Sequence, residues 1–182
     1  MGLWRLVLRM TVGLLFVGHG AQKLFGSFGG EGLSETATGM EKLGLQPGRV
    51  HAVAAGTAEC GGGVLLAAGA EMPFAAAALS ATMMTAIKRV HLKNGPWVQN
   101  GGYEYNIMLI GLLLALVEAG PGRLSLDSAL GRERSGAGWA AMAFGAGALG
   151  AYAVDAIADR SVPSPAVLLN EIRSHVPHRM AA

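Results

Sequence analysis

An apolar run long enough to cross a membrane lies near the start of the chain, from Leu6 to Phe25, and its second half contains a histidine and a lysine one helical turn apart. A helix needs about 20 apolar residues to cross a bilayer. Placing an imidazole and an ammonium in or beside hydrocarbon is costly. The presence of His19 and Lys23 therefore predicts a polar site. The alternative is that Lys23 reaches the lipid headgroups and His19 merely hydrogen-bonds a neighbouring helix.

Charged residues are scarce along the whole chain. Only 14% of the 182 residues are charged and 52% are hydrophobic, with a mean hydropathy of +0.41. Soluble domains carry about 25% charged residues, because they cover one core with solvated faces. Windows of about 18–20 residues in this chain have no such face, which predicts an integral membrane protein. The net charge of +2 and the lack of a basic stripe interleaved with aromatics argue against a nucleic-acid partner.

The chain has one cysteine, Cys60. A single thiol excludes an intramolecular disulfide, a paired redox motif, an iron–sulfur cluster or a thiolate zinc site built from this chain alone. We interpret Cys60 as a small packing residue. Any thiol chemistry would need a second sulfur from a partner, and we predict no metal site.

Loops rich in glycine and proline divide the apolar sequence into five segments. We predict an all-α integral membrane protein in which the first four segments form an antiparallel four-helix bundle and the fifth is a further transmembrane helix. The fifth segment is rich in alanine and glycine and contains Asp155, so an interfacial helix is its alternative. The segments are Leu3–Phe25, Val50–Ala70, Pro73–His91, Tyr103–Ala119 and Trp139–Ala158.

Three regions follow from these segments. Residues 1–127 are predicted to hold the bundle, with a short surface helix at Ser34–Lys42. Residues 128–158 hold the connection and the fifth helix, and residues 159–182 form a polar C-terminal tail. Arginines and lysines are divided almost evenly between the two sides, so the charge bias leaves the orientation in the membrane open.

Ionisable residues recur in the other apolar segments, and the bundle topology brings them to one side. The ends of the first and third helices and the starts of the second and fourth share that side in an antiparallel bundle. His19, Lys23, Lys88, His91 and Glu104 then lie together, with Glu59 two to three turns deeper.

Glu59 is surrounded on its own helix by small residues, which allow another helix to approach closely. Ala55, Gly56, Gly62 and Gly63 share its face, and Ala54, Ala58 and Gly62 repeat a small-residue spacing. A carboxylate at that depth needs a partner. We predict that Glu59 pairs with Lys23 or His19.

A simpler interpretation exists for the residues near the membrane surface. Lys88, Arg89 and Lys93 are typical of interfacial anchors. The aromatic residues Trp97, Tyr103 and Tyr105 are typical of a headgroup belt.

Several short motifs occur in a characteristic order. They are His19-Gly20-Ala21-Gln22-Lys23-Leu24-Phe25-Gly26, Glu59 followed by Gly61-Gly62, His91, Gly102-Tyr103-Glu104, and Gly120-Pro121-Gly122-Arg123-Leu124-Ser125-Leu126-Asp127. Together, over about residues 3–127, they resemble the DoxX family. The resemblance implies a small multi-pass protein of the bacterial plasma membrane, built as a four-helix bundle. It also implies a redox or thiol/oxidative-stress setting, with a superoxide dismutase and a thiosulfate sulfurtransferase as partners, as described for mycobacterial DoxX. The fifth segment and the tail depart from the minimal pattern.

Our first functional hypothesis is a membrane subunit of such a system, with a polar pocket that suits a quinone. His19 and Lys23 would donate hydrogen bonds to the quinone carbonyls, Glu59 and Glu104 would carry protons, and His91 could do either. Lys88, Tyr103 and Asn106 are further candidate cofactor-binding residues. The sequence contains no cofactor motif and no residue that supplies an electron, so it leaves open whether the protein is an enzyme. Haem ligation by two histidines fits poorly, since one precedes Gly20 and the other closes a helix.

A second hypothesis is a non-enzymatic membrane scaffold or small-solute conduit. The charged cluster would then be an ion-pair lock or a solute path. Lipid contact is expected under both hypotheses.

Overall fold

The computed structural model describes residues 2–161 of the chain, and this part is helical without a strand. A π-helical turn at Ile87–His91 continues the fourth helix, and short 3-10 turns lie at Ser27–Gly29, Leu92–Asn94 and Val98–Asn100. The α-helices are α1 (Leu3–Phe25), α2 (Gly32–Lys42), α3 (Gly48–Ala68), α4 (Met72–Ala86), α5 (Glu104–Ala119), α6 (Leu126–Ala129) and α7 (Ala137–Ser161). The all-α prediction is confirmed.

The predicted helix positions agree closely with the observed ones. The first segment and the short surface helix, now α2, are both present. The third segment differs, because regular α-helix ends at Ala86 and a π-turn carries the chain to His91. Of the predicted tail, residues 159–161 are the end of α7 and residues 162–182 lie outside the described part of the chain.

Glycines in the left-handed conformation end two of the long helices. Gly26 follows α1 with a φ of 69°, and Gly69 follows α3 with a φ of 64°. Both donate their backbone N–H to carbonyls of the preceding turn, which satisfies groups that a helix end leaves unpaired. Pro73 lies in the first turn of α4, where its missing N–H breaks no helical hydrogen bond. The link of three residues turns α3 back along α4.

α1 and α3 pack almost backbone to backbone. A Cβ placed on Gly13 would lie 2.5 Å from the Gly63 carbonyl oxygen, and one on Gly20 would lie 2.6 Å from the Gly56 carbonyl oxygen. Gly13 thus faces the end of α3 and Gly20 faces its middle, so the two helices run in opposite directions. Small residues at the contact make this approach sterically allowed.

Gly62, which the sequence placed on the same face as Gly63, packs elsewhere. A Cβ on Gly62 would lie 2.9 Å from Leu79 of α4 rather than against α1. The small residues of α3 therefore serve two neighbours, α1 on one face and α4 on another.

α7 packs on α4 and α5 through its own small residues. Ala143 is fully buried, and a Cβ on Gly147 would lie 3.0 Å from the Ser80 Cβ of α4. Arg134, just before α7, pairs with Glu71 just before α4, whereas Asp155 near the end of α7 pairs with Arg89. α7 is therefore parallel to α4.

Two ends of the helical body can be distinguished. The arginine end holds the start of α1, the end of α3, the start of α4 and the end of α5. The cavity end holds the opposite termini of the same helices.

At the arginine end, fully buried Arg9 donates to the carbonyl oxygens of Ala67 at 3.2 Å and Leu124 at 2.6 Å. Asp127 accepts from the backbone N–H of Glu71 at 3.0 Å and of Met72 at 3.4 Å. These bonds connect the segment after α5 to α1 and to the α3–α4 link.

Two helices within residues 2–161 are long and apolar enough to cross a membrane, Gly48–Ala68 and Ala137–Ala158. α4 and α5 alone have 15 and 16 residues, short of the ~20 that a straight span needs. Large apolar side chains also face outward on the longer helices, for example Leu14, Ile107 and Leu149. A soluble protein avoids such extended apolar surface, so these faces are suited to lipid.

Candidate functional site

A cavity of about 460 Å³ lies between α1, α3, α4 and α5, at the cavity end of the protein. More than half of its lining residues are apolar, chiefly alanine, leucine and methionine, and its size is typical of sites for small organic ligands. α2 and the loop after it supply Met40, Leu43 and Leu45, and α7 supplies Val154. The polar residues among the lining are His19, Lys23, His51, Glu59, Thr82, Thr85, Arg89, His91, Tyr105 and Asn106.

Lys23 and Glu59 form an ion pair across the α1–α3 contact. The Lys23 Nζ lies 2.6 Å from a carboxylate oxygen of Glu59. The Glu59 side chain is 6% exposed, whereas that of Lys23 is 28% exposed. The glycine contact at Gly20 and Gly56 brings the helices close enough for this pairing. The predicted partnership of Glu59 with Lys23 is confirmed.

Two cavity histidines are fixed by backbone carbonyls. His91 Nδ1 lies 2.7 Å from the Gly101 carbonyl oxygen, and buried His51 Nε2 lies 3.2 Å from that of Gln46. A carbonyl oxygen only accepts, so the bonded nitrogen carries the proton and the other nitrogen of a neutral ring is an acceptor. His19, in contrast, lies exposed at the rim, with its Nδ1 3.1 Å from the Gln22 side-chain oxygen.

The π-turn at the end of α4 divides two adjacent basic residues between different roles. Lys88 is exposed and pairs with Asp155 of α7, outside the cavity lining. Arg89 lines the cavity and also holds Asp155, with its Nε 2.8 Å from the carboxylate. π-turns are frequent at functional sites because they redirect side chains within a helix.

The cavity brings together five of the eight residues that the sequence suggested as a site. His19, Lys23, Glu59, His91 and Asn106 line it. Buried Asn106 donates to the Met83 sulfur at 3.4 Å.

Lys88, Tyr103 and Glu104 lie at the same end of the protein but outside the cavity lining. Glu104 instead accepts a hydrogen bond from the Val98 backbone N–H at 2.8 Å, and Tyr103 donates its own N–H to Gly95. Both contacts order the loop that precedes α5.

His51 is not among the candidate site residues predicted from the sequence, and Arg89 is interpreted there only as an interfacial anchor. His51 shares a helical face with Ala55 and Ala58 through i, i+4 and i+7 spacing, a signal that the sequence does contain. Arg89 is indistinguishable from Lys88 in sequence, because both precede the loop at the end of an apolar segment. Only the π-turn separates them.

The described residues include no group of three histidine, cysteine, aspartate or glutamate side chains suited to a metal ion. Cys60 lies in the α1–α3 contact, where its thiol donates to the Val17 carbonyl oxygen at 3.6 Å. It acts as a packing residue there.

A comparison with known protein families gives a match over most of the helices that form this cavity. The DoxX family model matches residues 4–92. The DoxX match includes the Lys23–Glu59 pair and both fixed histidines, and it ends just after the π-turn. The predicted resemblance to the DoxX family is confirmed over these residues. No curated protein and no solved structure matches the chain.

Proposed function

We propose that this DoxX-type protein is a membrane subunit of a redox or thiol/oxidative-stress system and that it binds a quinone in the cavity. The observation that carries the proposal is the cavity itself, a largely apolar space of about 460 Å³ with a partly buried ion pair in its wall. A quinone has an apolar body and two carbonyl oxygens that accept hydrogen bonds. Such a ligand matches mostly apolar walls with a few fixed polar groups.

The polar groups divide into donors and proton carriers. Lys23, Asn106 and His19 carry N–H groups for the quinone carbonyls. Reduction to the quinol consumes two electrons and two protons. Glu59 and His91 are the cavity groups suited to passing protons, and the electrons would come from a partner redox protein. Superoxide dismutase and thiosulfate sulfurtransferase are candidate partners by family resemblance. Glu104, on the loop side, would act as a proton carrier only at the entrance.

The same proposal includes a membrane arrangement. α1, α3, α4 and α5 would form an antiparallel bundle within residues 1–127, with α4 reaching membrane length through its π-turn. α7, within residues 128–158, would add a fifth span on its outer side. The setting would be a bacterial plasma membrane, crossed several times.

Bound quinone gives the most direct test. We expect protein purified in mild detergent to retain quinone, measured by solvent extraction and absorbance, and to rebind a short-chain quinone saturably. Ala58→Trp fills the cavity and should abolish binding, whereas Ala148→Trp, on the exposed face of α7, should not. Absence of saturable binding, or equal binding by the two variants, would contradict the proposal.

Glu59→Gln tests the proton-carrying role. The amide keeps shape and hydrogen bonding but has no titratable proton. We expect full membrane abundance with lost resistance to oxidative or thiol stress, while Glu118→Gln, exposed on α5, behaves as wild type. If Glu59→Gln cells are fully resistant and Gly62→Leu cells are not, the site serves packing alone.

One observation favours a structural scaffold as the second candidate. Both buried carboxylates near the cavity, Glu59 and Asp155, are already neutralised by lysine or arginine within the chain. Such pairs could simply lock helices together. Recovery of soluble partner proteins from a preparation that binds no quinone would support the scaffold.

A further inference from the structure

A second cavity, of about 310 Å³, lies at the arginine end, between the start of α1 and the loops that flank α6. We call it the arginine groove, after Arg5 and Arg123 in its lining. It shares no residue with the quinone cavity at the opposite end. Its ligand is therefore a separate question from the proposed function.

The two arginines of this groove have no partner in the described part of the chain. No hydrogen bond or ion pair there engages the guanidinium of Arg5 or Arg123. The other arginines near this end behave differently, since Arg9 holds two backbone carbonyls and Arg134 holds Glu71. Two unpaired guanidinium groups in one concave site favour an anion.

The floor of the groove is the turn that follows α5. Gly120 and Gly122 have φ values of 85° and 79°, and Pro121 between them is buried. The Arg5 side chain lies over this turn, because a Cβ on Gly122 would lie 3.4 Å from the Arg5 Cδ. The aliphatic part of the Arg5 side chain therefore lies against the backbone of this turn.

An apolar stripe runs along the outside of α1 and begins at Trp4, the residue before Arg5. Trp4, Leu8 and Leu15 recur at helical spacing and are 74%, 43% and 54% exposed. In a membrane protein this stripe faces lipid, and Trp4 is suited to the headgroup level. A ligand with a phosphate at Arg5 and hydrocarbon along α1 would contact both features.

We propose that the arginine groove binds the phosphate group of an anionic phospholipid, with an acyl chain along the Trp4–Leu15 stripe. Guanidinium groups bind phosphate oxygens through paired N–H donors. Basic pockets between membrane helices are known to take such headgroups. Glu133 is the one carboxylate in the groove lining, and it can accept a hydrogen bond from a headgroup hydroxyl, as in phosphatidylglycerol.

Lipid titration of delipidated full-length protein, followed by native mass spectrometry, tests the site. We expect phosphatidylglycerol to bind more than tenfold tighter than phosphatidylcholine. Arg5→Gln and Arg123→Gln should each weaken phosphatidylglycerol binding about fivefold. Arg132→Gln is the matched control, because this exposed arginine lies at the same end outside the groove, and its binding should not change.

Three results would overturn the proposal. Equal binding of the two lipids would show that the headgroup is not recognised. An Arg5→Gln/Arg123→Gln protein with normal helical circular dichroism and wild-type affinity would show that the groove is not the site. Inorganic phosphate that binds as tightly as the lipid would assign the groove to free phosphate. If the double variant misfolds, Arg5→Lys/Arg123→Lys takes its place because it keeps both charges. Retained preference for phosphatidylglycerol would then support the site, and loss of that preference in a normally folded protein would contradict it.

Discussion

Gly13→Ala should separate α1 from α3. The added Cβ would lie 2.5 Å from the Gly63 carbonyl oxygen and 2.8 Å from the Ala67 backbone nitrogen. Backbone atoms cannot rotate out of the way, so the helices must move apart by about 1 Å to restore ordinary contact distances. Overpacking of this kind costs about 1–3 kcal/mol. We expect a loss of about 2 kcal/mol, which corresponds to a drop in Tm of roughly 4–8 °C.

The matched control is Gly18→Ala on the same helix, where a Cβ would meet nothing within 4 Å. Alanine favours helix over glycine by up to about 1 kcal/mol, so this variant should match or slightly exceed wild-type stability. Both are measured by thermal unfolding in one detergent, followed by circular dichroism. If Gly13→Ala is as stable as Gly18→Ala, the close contact of α1 with α3 is refuted.

Three further substitutions test the polar contacts by the same unfolding measurement. Lys23→Met should lower the free energy of unfolding by about 3 kcal/mol, because it leaves the Glu59 charge buried without a partner. Adding Glu59→Leu should recover most of this loss. If the losses of the two single variants simply add in the double variant, the ion pair is contradicted. Asp155→Asn should cost about 1–2 kcal/mol by weakening the contact between α7 and the π-turn, and wild-type stability would count against that contact. Asp127→Ala should cost about 1 kcal/mol by uncapping α4, whereas Asp127→Asn retains an acceptor and should lose less; equal losses would argue against a capping role.

The helices could be predicted well because their signals are local. Glycines at 26 and 69 and the proline at 73 mark helix ends directly in the sequence. The length of each apolar segment indicates whether it can form a helix long enough to cross a membrane. The π-turn at Ile87–His91 could not be predicted, since nothing in those residues alone distinguishes it from continuing α-helix. Two residues of this turn, Lys88 and Arg89, pair with Asp155 of α7, a tertiary contact that the local sequence does not reveal.

The candidate site could be predicted in part. Lys23 and Glu59 are conspicuous because each is a charged residue in an apolar segment, and a shared face with small residues indicated that they could meet. Glu104 has the same local signal, yet its carboxylate accepts from the backbone of the preceding loop. Whether an ionisable residue at a helix start points inward or back to its own loop depends on the loop conformation, which the sequence does not reveal.

The parallel course of α4 and α7 has a topological consequence. The described chain enters at one end of the helical body, beside the arginine groove, and leaves it at the other, beside the larger cavity. A protein with an even number of long antiparallel helices would return to its starting end. Here α7 is a fifth long helix, so the described chain finishes at the end opposite to its start. In the membrane arrangement that we propose, reporter domains fused before residue 2 and after residue 161 should be labelled from opposite faces of the membrane. A soluble partner could then be held by one terminus without reaching the other.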